Sequence, residues 1–134
     1  MAIIKSFTSL EQSKKLAEIL PLESADMHYT GHQSIINPKE WEYEAMPNIR
    51  GKYISFDDKR IFYPCWSLAA LLNVIPKRIK DYNVLRIDIS DNDFAVWYDE
   101  IGYGVNNDLP DITKESAIDA CYEMIIKLHK QELL

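Results

Sequence analysis

The stretch that most constrains this chain is Tyr63-Pro64-Cys65-Trp66-Ser67-Leu68-Ala69-Ala70-Leu71-Leu72-Asn73-Val74-Ile75-Pro76, its most apolar run, bracketed by prolines. Pro64 biases Tyr63 towards an extended backbone, so a strand or loop leads in. Ser67 is placed to cap the free amides of a helix start. With Ser67 as cap, Trp66 stands just before it and Leu71 at the fourth helical position, the spacing of a hydrophobic staple. Leu68, Leu71, Leu72 and Ile75 recur on one helical face, and Pro76 forbids simple continuation. The run predicts a short, buried helix between strands.

The rest of the chain supplies what that helix packs with. At 134 residues the size prior is a single domain, 1–134. A hydrophobic share of 47% is enough for a real core. The formal charge of -6 disfavours direct nucleic-acid binding, which needs a basic surface, and disfavours anionic membranes. Lys77, Arg78 and Lys80 form a local basic cluster. Cys65 and Cys121 are the only cysteines, too few for a disulfide framework, and both read as buried free thiols. The start Met1-Ala2-Ile3-Ile4-Lys5 has no secretory pattern, and no run reaches membrane-spanning length, so a cytoplasmic location is the default.

Thr8-Ser9-Leu10-Glu11 has capping-box spacing, which predicts a helix from about Ser9 to Leu20, closed by Pro21. Residues 22–51 read as an extended excursion over the core, punctuated by Gly31, Pro38 and Pro47. Within it, Trp41, Tyr43 and Ala45 alternate with Glu40, Glu42 and Glu44 at strand period. Lys52–Phe56 and Arg60–Tyr63 flank the turn Asp57-Asp58-Lys59 and predict a first hairpin. A second hairpin runs from Tyr82–Ile89 through Ser90–Asp93 to Phe94–Tyr98, with Leu85, Ile87 and Ile89 on its core side. Asp111 or Thr113 caps a last helix over about Lys114–Lys130. Its stripe is Ala117, Cys121, Met124, Ile125 and Leu128, widened by Ile118 and Ile126.

The fold class expected is α+β: a small, mainly antiparallel sheet from two hairpins, the N- and C-terminal helices on one face, and the short central helix connecting the hairpins. Three blocks carry a family resemblance. Glu11–Leu16 followed by Ile19-Leu20-Pro21, Trp66–Lys77, and Ala117–Ile126 resemble the opening helix, central block and closing helix of a family of small uncharacterised α+β proteins from phages and mobile elements of gut bacteria. Residues 22–51 fall outside the resemblance. It implies a genomic setting and no chemistry.

No stretch carries a strong catalytic or cofactor signature. Cys65 beside Trp66 at a helix start resembles the nucleophile of papain-like peptidases, where the helix end lowers the thiol pKa and a histidine serves as base. The glycine-containing lead-in of that signature is replaced by Tyr63-Pro64, and the only downstream histidine is His129. A small core residue is the favoured reading. His28 and His32 stand at i,i+4, where two helical imidazoles could share zinc with a third ligand such as Asp26. Gly31 breaks that helix and no glutamate stands inside the pair, so loop histidines are favoured. Asp88, Asp91 and Asp93 crowd the second turn without the EF-hand pattern, and read as turn formers. Trp41, Tyr43 and Trp97 read as core aromatics before an exposed partner surface.

The expectation is therefore no catalytic residues, no cofactor and no metal site. The favoured function is a non-enzymatic accessory or protein-interaction domain of a phage or mobile element, with a protein partner and no membrane. One alternative is a small cysteine hydrolase using Cys65. Another is an acidic protein that occupies the basic groove of a nucleic-acid-binding partner, through Glu40, Glu42, Glu44, Asp88, Asp91 and Asp93 if these share a face.

Overall fold

Strands dominate the middle of the chain, and helices stand where hydroxyl caps precede apolar stripes. The computed structural model describes residues 5–37, 39–49 and 60–134. The elements are helix α1 (Leu10–Ala17), a 3-10 turn (Leu22–Ser24), strands β1 (Met27–Gln33), β2 (Trp41–Tyr43), β3 (Asn48–Ile49) and β4 (Arg60–Cys65), and helix α2 (Leu68–Val74). Then follow β5 (Arg78–Ile79), β6 (Asn83–Ile89), β7 (Phe94–Glu100), β8 (Gly104–Val105), β9 (Ile112–Lys114) and α3 (Ala117–Lys130). The class is α+β with antiparallel pairing, as the sequence predicts. Two compact units make up the chain: Phe7–Ala70, and Leu71–Leu134 with the N-terminal residues up to Ser6.

The strands form two sheets, each built around one central strand. In the first unit, β1 is flanked on one side by β4 and on the other by β2 and β3. In the second, β7 is flanked by β6 on one side and by β8 and β9 on the other. Both edges of each central strand are thus taken. Each sheet has its own terminal helix: α1 lies on β4, and α3 lies on β7 and β9. Half of the expected first hairpin, Lys52–Phe56 with its turn Asp57–Lys59, lies outside the described residues. The other half, β4, pairs with β1 from His32↔Arg60 to Met27↔Cys65.

Local chemistry moves several boundaries. The first capping box uses Ser9 and Gln12 in place of Thr8 and Glu11: Gln12 N donates to Ser9 Oγ at 3.1 Å, and Ser9 N donates to Gln12 Oε1 at 3.0 Å. Thr8 is committed elsewhere, because its Oγ1 accepts from Trp66 N at 3.1 Å and bonds Ser13 Oγ at 2.8 Å. The last helix starts three residues later than the Lys114 expected from a cap at Asp111 or Thr113, at Ala117, the first residue of its stripe. Ile112–Lys114 pairs with β7 as a strand, and Ser116 is the cap, its Oγ accepting from Asp119 N. Ser67 caps α2 as expected, accepting from Ala70 N at 3.2 Å. The Asp26 carboxylate secures it, taking the Ser67 N–H at 2.9 Å and the Ser67 hydroxyl.

The second hairpin pairs as expected, from Asn83↔Glu100 to Ile89↔Phe94. Its core side is uneven. Phe94, Val96 and Tyr98 are buried on β7, the strand that α3 covers. Their neighbours Ile87 and Ile89 on β6 are exposed. The α3 stripe is buried at Ile118, Cys121, Met124, Ile125 and Leu128, and Glu123 meets Lys127 at 3.9 Å. The cluster at Lys77 and Arg78 serves the backbone: Lys77 Nζ donates to Leu72 O and Ile75 O, and Arg78 to Asp81 O. Among the described residues no helix is long and apolar enough to cross a membrane.

Candidate functional site

The excursion that is hardest to read in sequence holds the central strand of the first sheet and the most distinctive surface of that unit. Side chains alternate along β1. Met27, Tyr29, Gly31 and Gln33 face one way, with Ile61, Tyr63 and Cys65 beside them on β4. Tyr29 and Cys65 are buried on this side. His28, Thr30 and His32 face the other way, beside Pro64, Phe62 and Arg60.

That second side forms the floor of a groove of about 520 Å³, whose described lining includes His28, Thr30, His32, Glu44, Asn48 and Arg60. His28 is only 7% exposed, and its ring meets Phe62 edge-on at 5.3 Å. His32 Nε2 lies 3.2 Å from Glu44 Oε1. Asn48 Nδ2 donates to Glu44 Oε2 at 3.3 Å and to Thr30 Oγ1 at 3.4 Å. No cysteine or serine stands in the described lining. The described lining gathers imidazole, guanidinium and amide groups around one carboxylate, Glu44, which Asn48 and His32 already engage.

The β1–β2 hairpin carries this surface out to a tip. Ser34 N donates to Glu40 O and Glu40 N to Asn37 O, both at 2.9 Å. The buried Ser34 hydroxyl accepts from Asn37 N at 3.3 Å and donates to Glu42 Oε1 at 3.2 Å. On this hydrogen-bonded frame Ile35 and Ile36 are 98% and 94% exposed. Trp41, at the start of β2, is at the edge of exposure. Tyr43 packs inward against Tyr63 at 6.0 Å, under the Lys14 ammonium. Trp97 belongs to the other unit, where its Nε1 donates to Asp99 Oδ1 at 2.9 Å.

Cys65 is fully buried. Its Sγ donates to Thr8 O at 3.5 Å and lies 3.6 Å from Thr8 Oγ1. Burial pushes the thiol pKa up, and hydrogen bonds from Thr8 and Ser13 offset only part of that rise. Tyr29 closes the same cluster by donating to Thr8 O at 2.8 Å. His28 is paired in register with Pro64, one residue out of phase with Cys65, so its side chain leaves the opposite face of the sheet. His32 shares the His28 face, and His129 is an exposed residue of α3 in the other unit. Within its own unit, no described imidazole stands on the face of the sheet that carries this thiol.

His28 and His32 do share a face, but on a strand. Four residues at about 3.3 Å each put their Cα atoms about 13 Å apart, too far to share one zinc. Among the described residues no three histidine, cysteine or acidic side chains gather to hold a metal ion. Asp93 closes the second turn with Ser90, its N–H donating to Ser90 Oγ at 3.2 Å. Glu42 and Glu44 are engaged by Ser34 and His32, whereas Asp88, Asp91 and Asp93 lie in the other unit.

Reading the sequence missed Asn48, Arg60 and the Ile35-Ile36 pair. The signal for the pair was present: two adjacent β-branched residues inside the turn-forming set Ser34, Asn37 and Pro38. Asn48 and Arg60 gave none, since only the strand register brings them to β1. Comparison with known proteins finds no family model, no curated protein and no solved structure that matches the chain.

Proposed function

We propose that this chain is a non-enzymatic interaction domain that docks a protein partner through the β1–β2 arm. Its genomic setting is a phage or mobile element, as the sequence resemblance implies. One observation carries the reading: Ile35 and Ile36 stand almost fully exposed on a tip whose backbone is held by its own hydrogen bonds. Burying one such side chain is worth about 1.5–3 kcal/mol. Backbone hydrogen bonds at Ser34, Asn37 and Glu40 lower the entropy that docking these isoleucines would cost. The partner chemistry that fits is an apolar pocket for the two isoleucines, with polar atoms beside it to meet the groove of His32, Glu44 and Arg60.

The test is to recover partners from the native host with tagged protein, then to repeat binding with both proteins purified. Ile35→Asp/Ile36→Asp should weaken the reconstituted complex at least about tenfold. Its melting temperature should stay near that of the parent, since the side chains touch solvent. Equal binding by parent and double variant would remove the tip from the interface and the proposal with it.

A further inference from the structure

The second unit carries an open strand edge that is complementary to itself. Strand β6 pairs with β7 along its whole length. On its other side β5 reaches only Asn83 and Val84, and Leu85 N donates to Lys77 O at 3.0 Å. Beyond Leu85 no described strand covers that side. Successive residues of an antiparallel strand turn their N–H and C=O groups to alternate sides. Since the Leu85 N–H points outward, the backbone groups of Ile87 and Ile89 do so too, while Arg86 and Asp88 bond to β7. Ile87 is 41% exposed and Ile89 74%, and Arg86 and Asp88 are exposed. Open edges of this kind are templates for a further strand.

We infer that the occupant is a second copy of this chain, paired antiparallel, β6 to β6, about a two-fold axis through Ile87. Charge decides both occupant and register. Only outward-facing residues can exchange backbone bonds, so three registers are available: Ile87 opposite itself, Ile87 opposite Ile89, or Ile89 opposite itself. The second places Asp88 against Asp88, a like-charge pair. The third sets Asp88 against Ser90 and uses only the strand end. The first places Arg86 of each copy directly opposite Asp88 of the other, at the positions where side chains stand closest. It forms two ion pairs and stacks Ile87 on Ile87. Arg86 already bonds Asp99 Oδ2 through Nε at 3.3 Å, which leaves its Nη groups for Asp88 of the second copy. Lys77 holds the Leu85 amide, so the paired segment is short and the association is weak and concentration-dependent. It is independent of the partner proposed for the β1–β2 arm.

The experiment is sedimentation equilibrium of the full chain over a wide concentration range, at low and high salt. The parent should show a monomer–dimer equilibrium that salt weakens. Arg86→Asp and Asp88→Arg should each be monomeric, with circular dichroism like that of the parent. Mixed in equal amounts they should dimerise with one another, because acidic residues then face basic ones at both positions. The double variant R86D/D88R should dimerise alone. A parent that stays monomeric throughout, single variants that still dimerise, or a mixture that fails to associate would each overturn the inference. So would an edge occupied only by an unrelated partner strand.

Discussion

The ring of Tyr43 lies across Gly31, so that a Cβ built on Gly31 stands 2.7 Å from Tyr43 Cε1 and 3.0 Å from Ile61 Cγ1. The glycine is there for close approach, since the strand pairing places Tyr43 directly opposite it. The ring cannot swing away freely, because it packs against Tyr63 and under Lys14. Gly31→Ala should therefore destabilise by about 1–3 kcal/mol, the usual cost of overpacking. In a Tyr43→Ser background the same change should cost little. Urea denaturation of the four proteins of that cycle measures the coupling; a cost at Gly31 that ignores residue 43 contradicts the steric account.

Leu71 in helix α2 and Ile75 just after it are buried, whereas Leu68 and Leu72 are partly exposed. The face predicted from spacing is correct in direction but too wide. Leu71→Ala should cost about 2–5 kcal/mol, the range for a buried leucine. Leu72→Ala should cost less than half of the Leu71 value. Equal losses in thermal or urea unfolding would mean that both leucines are fully enclosed.

The legible parts of the sequence are those where one face of an element decides its burial. The stripe of α3, the pairing of β6 with β7 and the cap at Ser67 all follow from local patterns. Strand β1 does not, because Met27-His28-Tyr29-Thr30-Gly31-His32-Gln33 has polar residues where a core strand has aliphatic ones, yet His28 and Thr30 are buried. Ile112–Lys114 resembles a helix start because cap-type residues flank a strand of only three. At the first helix, Thr8 with Glu11 and Ser9 with Gln12 both fit a capping box. The choice rests on Thr8 being drawn to Trp66, a contact between residues far apart in the chain. The groove depends wholly on such register, so residue types alone do not announce it.

Two buried phenols give the protein an alkaline limit. Burial raises the Tyr29 pKa from 10.0 to about 12, with a smaller push from Cys65, and Tyr98 is raised by burial as well. Each donates its hydroxyl proton to a carbonyl, Tyr29 to Thr8 O at 2.8 Å and Tyr98 to Pro76 O at 2.6 Å. A raised folded-state pKa means that the folded chain holds these protons after the unfolded chain has released them. Their contribution is full below the unfolded value of about 10 and falls as pH rises through the folded values. Stability should therefore drop between about pH 10 and pH 12, and less steeply for Tyr29→Phe. Urea midpoints across that range, with phenolate absorbance of the native protein, test this; a midpoint independent of pH contradicts it.

Cys65 should be a structural thiol. It lies at the end of β4, just before the α2 cap, where a helix start would favour a thiolate. Against that, the side chain is fully buried and its proton goes to Thr8 O at 3.5 Å. Burial outweighs the hydrogen bonds that Thr8 and Ser13 offer, so the thiol pKa stays above its ordinary value and little thiolate exists at neutral pH. Cys121 is held higher still, pushed up to about 12 by burial although Lys77 pulls it down. Iodoacetamide should therefore alkylate both cysteines far more slowly in the native protein than in the denatured chain, at rates limited by opening of the structure. Thr8→Ala removes a partner from both the thiol and the Trp66 amide, so it should lower stability by about 1–3 kcal/mol and speed alkylation of Cys65 through that loss alone. Site-resolved mass spectrometry follows each thiol. A Cys65 that reacts faster than a free cysteine, and slows when His28 or His32 is replaced, would mean that thiol and imidazole pair in solution, and would make the hydrolase alternative the leading reading.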